Sequence, residues 1–166
     1  MSEPPRIDPS ALDPALVEKY VRGGIPHCAA LNIRVVALNS NSATFALPYN
    51  PDLVGDPLTG VLHGGAVTTL VDSVCGIAVF AALQRLEAIA TLDLRIDYLR
   101  PAAAHKELYA TAECYRLTRS IAFLRARAYH PDTPDEWVAS CVSAFMIGSS
   151  EKAPISADAA VPGGQS

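Results

Sequence analysis

Apolar and polar residues follow two different periods along this chain, and the changes of period mark its elements. "IRVVAL" and "SATFALPY" alternate on either side of the turn "NSN" and predict a pair of strands. "NPDLVGDPLTG" is dense in Pro, Gly and Asp and reads as a loop. From about Gly64 to Leu86 the apolar residues recur at helical intervals, over a length that exceeds any ordinary strand, which predicts one long helix. "TLDLRIDYL" then alternates strictly, with Leu92, Leu94, Ile96 and Tyr98 on one face and Asp93, Arg95 and Asp97 on the other. "ELYATAECYRL" and "SIAFLRARAYH" predict a hairpin around Thr118-Arg119, and "EWVASCVSAFMIG" a last strand after the turn "PDTPD". Ahead of these, "DPALVEKYVRGG" predicts a short helix with Asp13 as N-cap, Pro14 at the first helical position and Gly23 at its end.

Two of the predicted strand faces, Ala110/Ala112/Cys114 and Ala122/Ala126/Ala128, are made of small side chains, which let a helix lie close against a sheet. One long helix with five to six mostly antiparallel strands predicts an α+β fold in which the sheet packs over the helix. A chain of 166 residues suits one domain and buries a core without disulfides or metal. The domain is expected over residues 13–148, between a Pro-rich, disordered segment 1–12 and a small, polar, disordered tail 149–166.

Composition removes several functions. Hydrophobic residues make up 50% and charged residues 18%, and the formal net charge is −4 with no basic block, which argues against a nucleic-acid partner. Cys28, Cys75, Cys114 and Cys141 are widely spaced without a C-x-x-C pair, so they read as reduced, buried thiols of a cytoplasmic protein rather than a zinc or redox site. The segment "MSEPPRIDPS" lacks the apolar core of a signal peptide, and Asp72 interrupts the most apolar window, so no membrane span is expected. His27, His105 and His130 show no metal-ligand spacing and read as solvated loop histidines; no metal or other cofactor is expected. Phe80, Leu83 and Leu86 read as core packing before they read as a pocket lining.

The candidate chemistry lies on the long helix. From His63 it runs H-G-G-A-V-T-T-L-V-D-S-V-C-G, and Gly65, Thr68, Thr69, Asp72 and Gly76 share one face. At a helix start, unpaired N–H groups and the positive end of the macrodipole converge, and glycine lets another group approach the backbone. Such a place suits a carbonyl oxygen that gains negative charge. Asp72, within an apolar run where an unpaired charge is costly, could act as general base or nucleophile. Gly64 and Asp72 are separated by about 12 Å of rise and by about 80° around the axis, so one carbonyl group does not easily touch both. Two copies of the helix, antiparallel across a two-fold axis, would bring Gly64 of one near Asp72 of the other. The spacing therefore hints at a composite site in a homodimer.

"HGGAVTTLVDSVCG" followed by "ATLDLRIDYLRPA" resembles the hotdog-fold acyl-CoA thioesterases of the PaaI-like (phenylacetyl-CoA) group, over roughly residues 30–148. The resemblance implies a sheet wrapped around a central helix, with homodimers or dimers of dimers that carry active sites between subunits. It implies hydrolysis of an acyl-CoA, with the Gly64 N–H polarising the thioester carbonyl and Asp72 of the partner chain activating water or attacking directly. Thr91, at the head of the strand after the helix, would be the assisting hydroxyl, and His63 the motif histidine, in a supporting role. Gly65, Thr68 and Asn50 are candidate substrate contacts. Many relatives carry an Asn about six residues before the motif histidine; here that position is Pro57, and Asn50 or Asp56 are the candidates to replace it. Cations for the coenzyme A phosphates would come from Arg95, Arg100, Lys106, Arg116, Arg119, Arg125 or Arg127. The departure at Pro57 keeps a second reading open, a non-catalytic acyl-CoA-binding module. A hotdog dehydratase or hydratase would need a His-Asp pair set for proton shuttling, for which His63 is the one candidate.

Overall fold

The computed structural model describes residues 14–85 and 87–148. The expectations for residues 1–12, for the Asp13 cap, for Leu86 and for the tail 149–166 lie outside the described residues. The chain begins with α1 (Pro14–Gly24) and α2 (Pro26–Ala30), followed by the hairpin β1 (Arg34–Leu38) and β2 (Ser42–Leu47). A single 3-10 turn at Pro51–Leu53 leads into the short strands β3 (Val54–Asp56) and β4 (Val61–Leu62). Next come the long helix α3 (Gly64–Leu83) and the strands β5 (Ile89–Tyr98), β6 (Leu108–Leu117), β7 (Ile121–Tyr129) and β8 (Trp137–Ile147).

Six strands form one antiparallel sheet in the order β1-β2-β6-β7-β8-β5, and β3 pairs with β4 in a separate two-stranded piece. The sheet lies over α3, as the hydrophobic pattern requires. The small positions Ala110, Ala112, Cys114, Ala122, Ala126 and Ala128 are all buried, and together with Phe45, Leu108 and Leu124 they meet Val67, Leu70, Val71 and Val74 of the helix. Alanine on the strands is what lets bulky helix residues fill the space between the layers. By length and composition alone α3 could cross a membrane, but its apolar side chains are buried in this core.

Several expectations need correction. The segment 50–60, read as a loop, contains the 3-10 turn and the β3–β4 pair. The helix stops at Leu83, where Gln84 turns into the left-handed region with φ 54° and returns its N–H to the Phe80 carbonyl. His130 is not solvated: it is buried, accepts the Ala103 N–H at Nε2 (3.0 Å) and, with that nitrogen as acceptor, donates from Nδ1 to the Glu107 carbonyl (2.8 Å). His27 lies on α2 rather than in a loop.

The strict alternation read for β5 also fails, for a physical reason. A bulge falls between Thr91 and Asp93, whose β8 partners Phe145 and Ala144 are adjacent, so Leu92 is the extra residue. One extra residue reverses the phase of the side chains. Thr91 therefore faces the helix, Leu92 is turned out and 52% exposed, and beyond the bulge Leu94 and Ile96 pack on the core.

All four cysteines are buried free thiols. Burial pushes the Cys28 and Cys114 thiols up, and Cys75 is pushed well up, first by its hydrogen bond to Cys141 and then by burial.

Two substitutions on α3 separate packing from propensity. Leu70 has no exposed surface, so Leu70→Ala should lower the unfolding free energy by about 2–5 kcal/mol. A Cβ at Gly76 would meet only ordinary contacts, Ile89 Cδ1 at 3.8 Å and Phe145 Cε1 at 3.9 Å. Gly76→Ala should therefore be neutral or stabilising by up to about 1 kcal/mol. Denaturant titration with unchanged slope checks both.

Candidate active site

The first turn of α3 decides which polar groups the site offers. A helix leaves its first four N–H groups without helical partners. Here those belong to His63, Gly64, Gly65 and Ala66. The His63 N–H goes to the Leu53 carbonyl (2.8 Å), the Gly65 N–H to the His63 ring at Nδ1 (2.9 Å) and the Ala66 N–H to the His63 carbonyl (2.9 Å). Among the described residues, only the Gly64 N–H of the four has no partner.

Local sequence explains this arrangement. The N-cap is a histidine rather than Ser, Thr or Asp, and its ring nitrogen does the capping. An N–H can only donate, so Nδ1 must hold a lone pair, the ring is neutral, and its proton is on Nε2. Gly65 is required for this contact, because a Cβ there would lie 2.9 Å from Nδ1. Gly55 is required one layer out: a Cβ on it would lie 2.9 Å from the His63 Cα, so glycine lets β3 lie against the helix start.

The two threonines of the helix face turn back on the first turn. Thr69 Oγ1 donates to the Gly65 carbonyl (3.0 Å) and Thr68 Oγ1 lies 3.1 Å from the Gly64 carbonyl. The Gly64 carbonyl also accepts from the Tyr98 hydroxyl (2.8 Å). Thr68 thus supports the helix start and does not present a free hydroxyl. Thr69 meets His27, whose Nε2 lies 3.3 Å from Oγ1. Sequence reasoning missed His27; the contact spans 42 residues, and no local spacing signals it.

Asp72 lies two turns along, half-buried, and accepts the Thr91 hydroxyl at Oδ1 (3.0 Å). The structure thus brings together two of the predicted catalytic residues, and the β5 bulge is what aims Thr91 at the helix. Oδ2 has no hydrogen-bond partner among the described residues.

Two clefts flank the helix start. One, of about 350 Å³, is lined by Gly64, Val67, Tyr98, Arg100 and Val138 among others. The second, of about 500 Å³, is lined by His27, Leu31, Asp52, Leu53, His63 and Thr69 together with Gly65. Neither is lined by Asp72 or Thr91, so neither cleft joins the carboxylate to the open amide.

The candidates for the missing Asn are engaged elsewhere. The Asn50 side chain accepts the Asp52 N–H (3.0 Å) and caps the 3-10 turn. Asp56 accepts the Thr59 hydroxyl (2.7 Å) and the Leu58 N–H (3.0 Å), which hold its carboxyl below the usual carboxylate range. Neither lines either of these two clefts, whereas Asp52 lines the larger. Most of the predicted phosphate-binding cations are also engaged. Arg95 pairs with Asp97, Lys106 with Asp132 and Arg125 with Glu113. Arg127 lies over the rings of Tyr129 and Trp137. Arg100 alone of the seven lines a cleft beside Gly64.

Comparison with known proteins agrees with this layout. The thioesterase superfamily model matches residues 59–136, from the turn before β4 to the residue before β8. The medium/long-chain acyl-CoA thioesterase YigI of Salmonella typhimurium is 26% identical over 137 residues, covering 75% of this chain and 86% of YigI. A crystal structure of a Pseudomonas aeruginosa protein is 42% identical with a TM-score of 0.71, covering 80% of this chain and 97% of that one. A variant of the phenylacetic acid degradation protein PaaI from Thermus thermophilus is 26% identical with a TM-score of 0.64, covering 73% of this chain and 97% of that one. The same fold recurs in these solved structures, and this chain belongs to the thioesterase superfamily, in its PaaI-like, hotdog-fold group.

Proposed function

We propose that this protein hydrolyses an acyl-CoA thioester to the free acid and coenzyme A, at sites that two copies build together. The observation that carries the reading is the hydrogen-bond accounting at the start of α3, which leaves the Gly64 N–H as the unused donor at the positive end of the helix. A thioester carbonyl that accepts this N–H gains stabilisation as its oxygen becomes an oxyanion. Asp72 of the partner chain supplies the second half. As general base it takes a proton from water while the water oxygen bonds to the carbonyl carbon; the tetrahedral oxyanion then collapses, the C–S bond breaks, and the thiolate receives a proton. As nucleophile it would bond to the carbonyl carbon as the C–S bond breaks, the thiolate would take a proton, and water would cleave the resulting mixed anhydride to the free acid and the Asp72 carboxylate. In either case Thr91, on Oδ1, orients the carboxylate and leaves Oδ2 for the reaction.

The unpaired edge of the sheet supports the shared site. β5 ends the strand order, and Leu92, Tyr98 and Leu99 are each about half exposed along or just after it. A second copy along this edge would cover them and bring its own Asp72–Thr91 pair towards the helix start. The 500 Å³ cleft is of a size that suits an acyl group, and medium to long chains, the substrates named for YigI, are the class to test first. Arg100 is the candidate cation for the coenzyme A end. The same reading places the enzyme in the cytoplasm, where its thiols stay reduced.

Thiol release from a panel of acyl-CoAs tests the reading. Asp72→Asn should lower kcat by about 10²-fold or more. Gly64→Pro removes the N–H and adds the proline ring, at a position where proline suits a helix and after a residue whose φ −62° and ψ 136° accept a following proline; kcat should fall by about 10²- to 10³-fold. Gly64→Ala controls for packing, since it places the same Cβ 3.2 Å from the Tyr98 hydroxyl while keeping the N–H. Saturable acyl-CoA binding without thiol release by the wild type would favour the binding-module reading instead.

A shared site makes a further prediction. Asp72→Asn and Gly64→Pro subunits, inactive alone, should regain about a quarter of the wild-type sites when unfolded and refolded together, because each mixed dimer has one intact site. Activity that stays at the level of the separate variants would remove the partner chain from the mechanism.

A further inference from the structure

We propose that Tyr98 is a positioning residue of this site, which acts through the Gly64–Gly65 peptide to hold His63 as an Nε2–H donor beside the substrate. The inference rests on the thioesterase reading above for its kinetic consequence, but the hydrogen-bond chain stands on geometry alone.

Three contacts meet at the Gly64 carbonyl. The Tyr98 hydroxyl is 2.8 Å from it, Thr68 Oγ1 is 3.1 Å from it, and the two hydroxyl oxygens are 2.8 Å apart. Two hydroxyl protons serve these three contacts. When one hydroxyl donates to the other, the second donates to the carbonyl, and a chain of this kind strengthens its last bond. The Gly64 carbonyl belongs to the same peptide unit as the Gly65 N–H. A donor on the oxygen polarises the unit and makes that N–H a stronger donor in turn. Its acceptor is His63 Nδ1 at 2.9 Å. The relay therefore runs from Tyr98 on the edge strand, through one peptide, to the imidazole ring.

Its result is a fixed tautomer. Nδ1 accepts and carries no proton, so Nε2–H is the ring's remaining polar group. His63 lines the 500 Å³ cleft and Tyr98 the 350 Å³ cleft, so the relay joins the two sides of the helix start. In the bound complex the Nε2–H donates to the thioester alongside the Gly64 N–H. Tyr98 is 53% exposed within one chain, and a phenylalanine in its place keeps the ring, so the hydroxyl's role is separable from packing.

Tyr98→Phe removes the hydroxyl alone. In the ¹⁵N-labelled full-length protein, the His63 ring nitrogens of the wild type should report a bare Nδ1 and a protonated Nε2. In Tyr98→Phe the two signals should move towards each other as the tautomer is released. For acyl-CoA hydrolysis, kcat should fall by about 3- to 10-fold, the yield of one lost hydrogen bond, with KM within about twofold. Thr68→Val, which removes the second hydroxyl, should move the same signals in the same direction by less, and it serves if Tyr98→Phe folds poorly. Ring-nitrogen signals identical to the wild type in the folded variants would overturn the proposal, and so would a shifted ring with unchanged kcat. A wild-type protein that hydrolyses no acyl-CoA would defeat the thioesterase reading instead, and the ring-nitrogen signals alone would then decide whether the relay exists.

Discussion

A helix start that is satisfied everywhere but at one amide is the constraint on which the rest of this structure depends. Three of the four N–H groups are taken by the Leu53 carbonyl, the His63 ring and the His63 carbonyl, and the fourth, at Gly64, is left open among the described residues. Each closure depends on a neighbouring feature. The Leu53 carbonyl is delivered by the 3-10 turn that Asn50 caps. The β3–β4 pair comes close because Gly55 has no side chain, and the His63 ring folds back because Gly65 has none. A buried donor without a partner is costly, so an open amide is tolerated where a ligand or solvent can reach it, and Gly64 lines a cleft.

The second constraint is the tight seam between helix and sheet. α3 is apolar almost all round because the sheet, α2 and the connecting segments cover most of it. Asp72 lies where that cover thins, beside the last strand of the sheet, and the bulge in β5 gives it a threonine rather than a leucine as neighbour. A bulge near the edge of a sheet is a common means of re-aiming a side chain. Here it converts a strand that would present Leu92 to a carboxylate into one that presents a hydrogen-bond donor. The same strand ends at Tyr98, whose hydroxyl reaches the helix start. One edge strand thus touches both the acid and, two turns away, the first turn of the helix.

Electrostatics around the site are sparse. The net charge is −4, and the arginines and lysine on or near the strands are mostly paired with carboxylates or laid over aromatic rings. Exposed pairs of this kind add little stability. Among the seven predicted cations, Arg100 lines the cleft beside Gly64, where it donates to the Trp137 carbonyl (3.4 Å).

Much of this was legible in the residues. Period-two alternation placed β1, β2, β6, β7 and β8, the helical period placed α3, and the alanine faces announced a helix packed close to a sheet, because periodicity and side-chain size are local properties that burial selects directly. The motif from His63 to Asp72 pointed to the helix start and its acid for the same reason. Other features depend on residues distant in the chain. The bulge that turns Thr91 inwards depends on how β5 registers against β8, and a register is a property of two strands. Buried His130, His27 against Thr69, and Tyr98 on the Gly64 carbonyl are contacts across 23 to 42 residues. Asn50 and Asp56 offered polar side chains that any reading could assign to a substrate, and only the folded turn shows the backbone N–H groups that already occupy them. The sequence by itself determined the layers, the long helix and the identity of its polar face; tertiary structure alone decided which of those polar groups are left open, because an open donor or acceptor is defined by every neighbour that could have closed it.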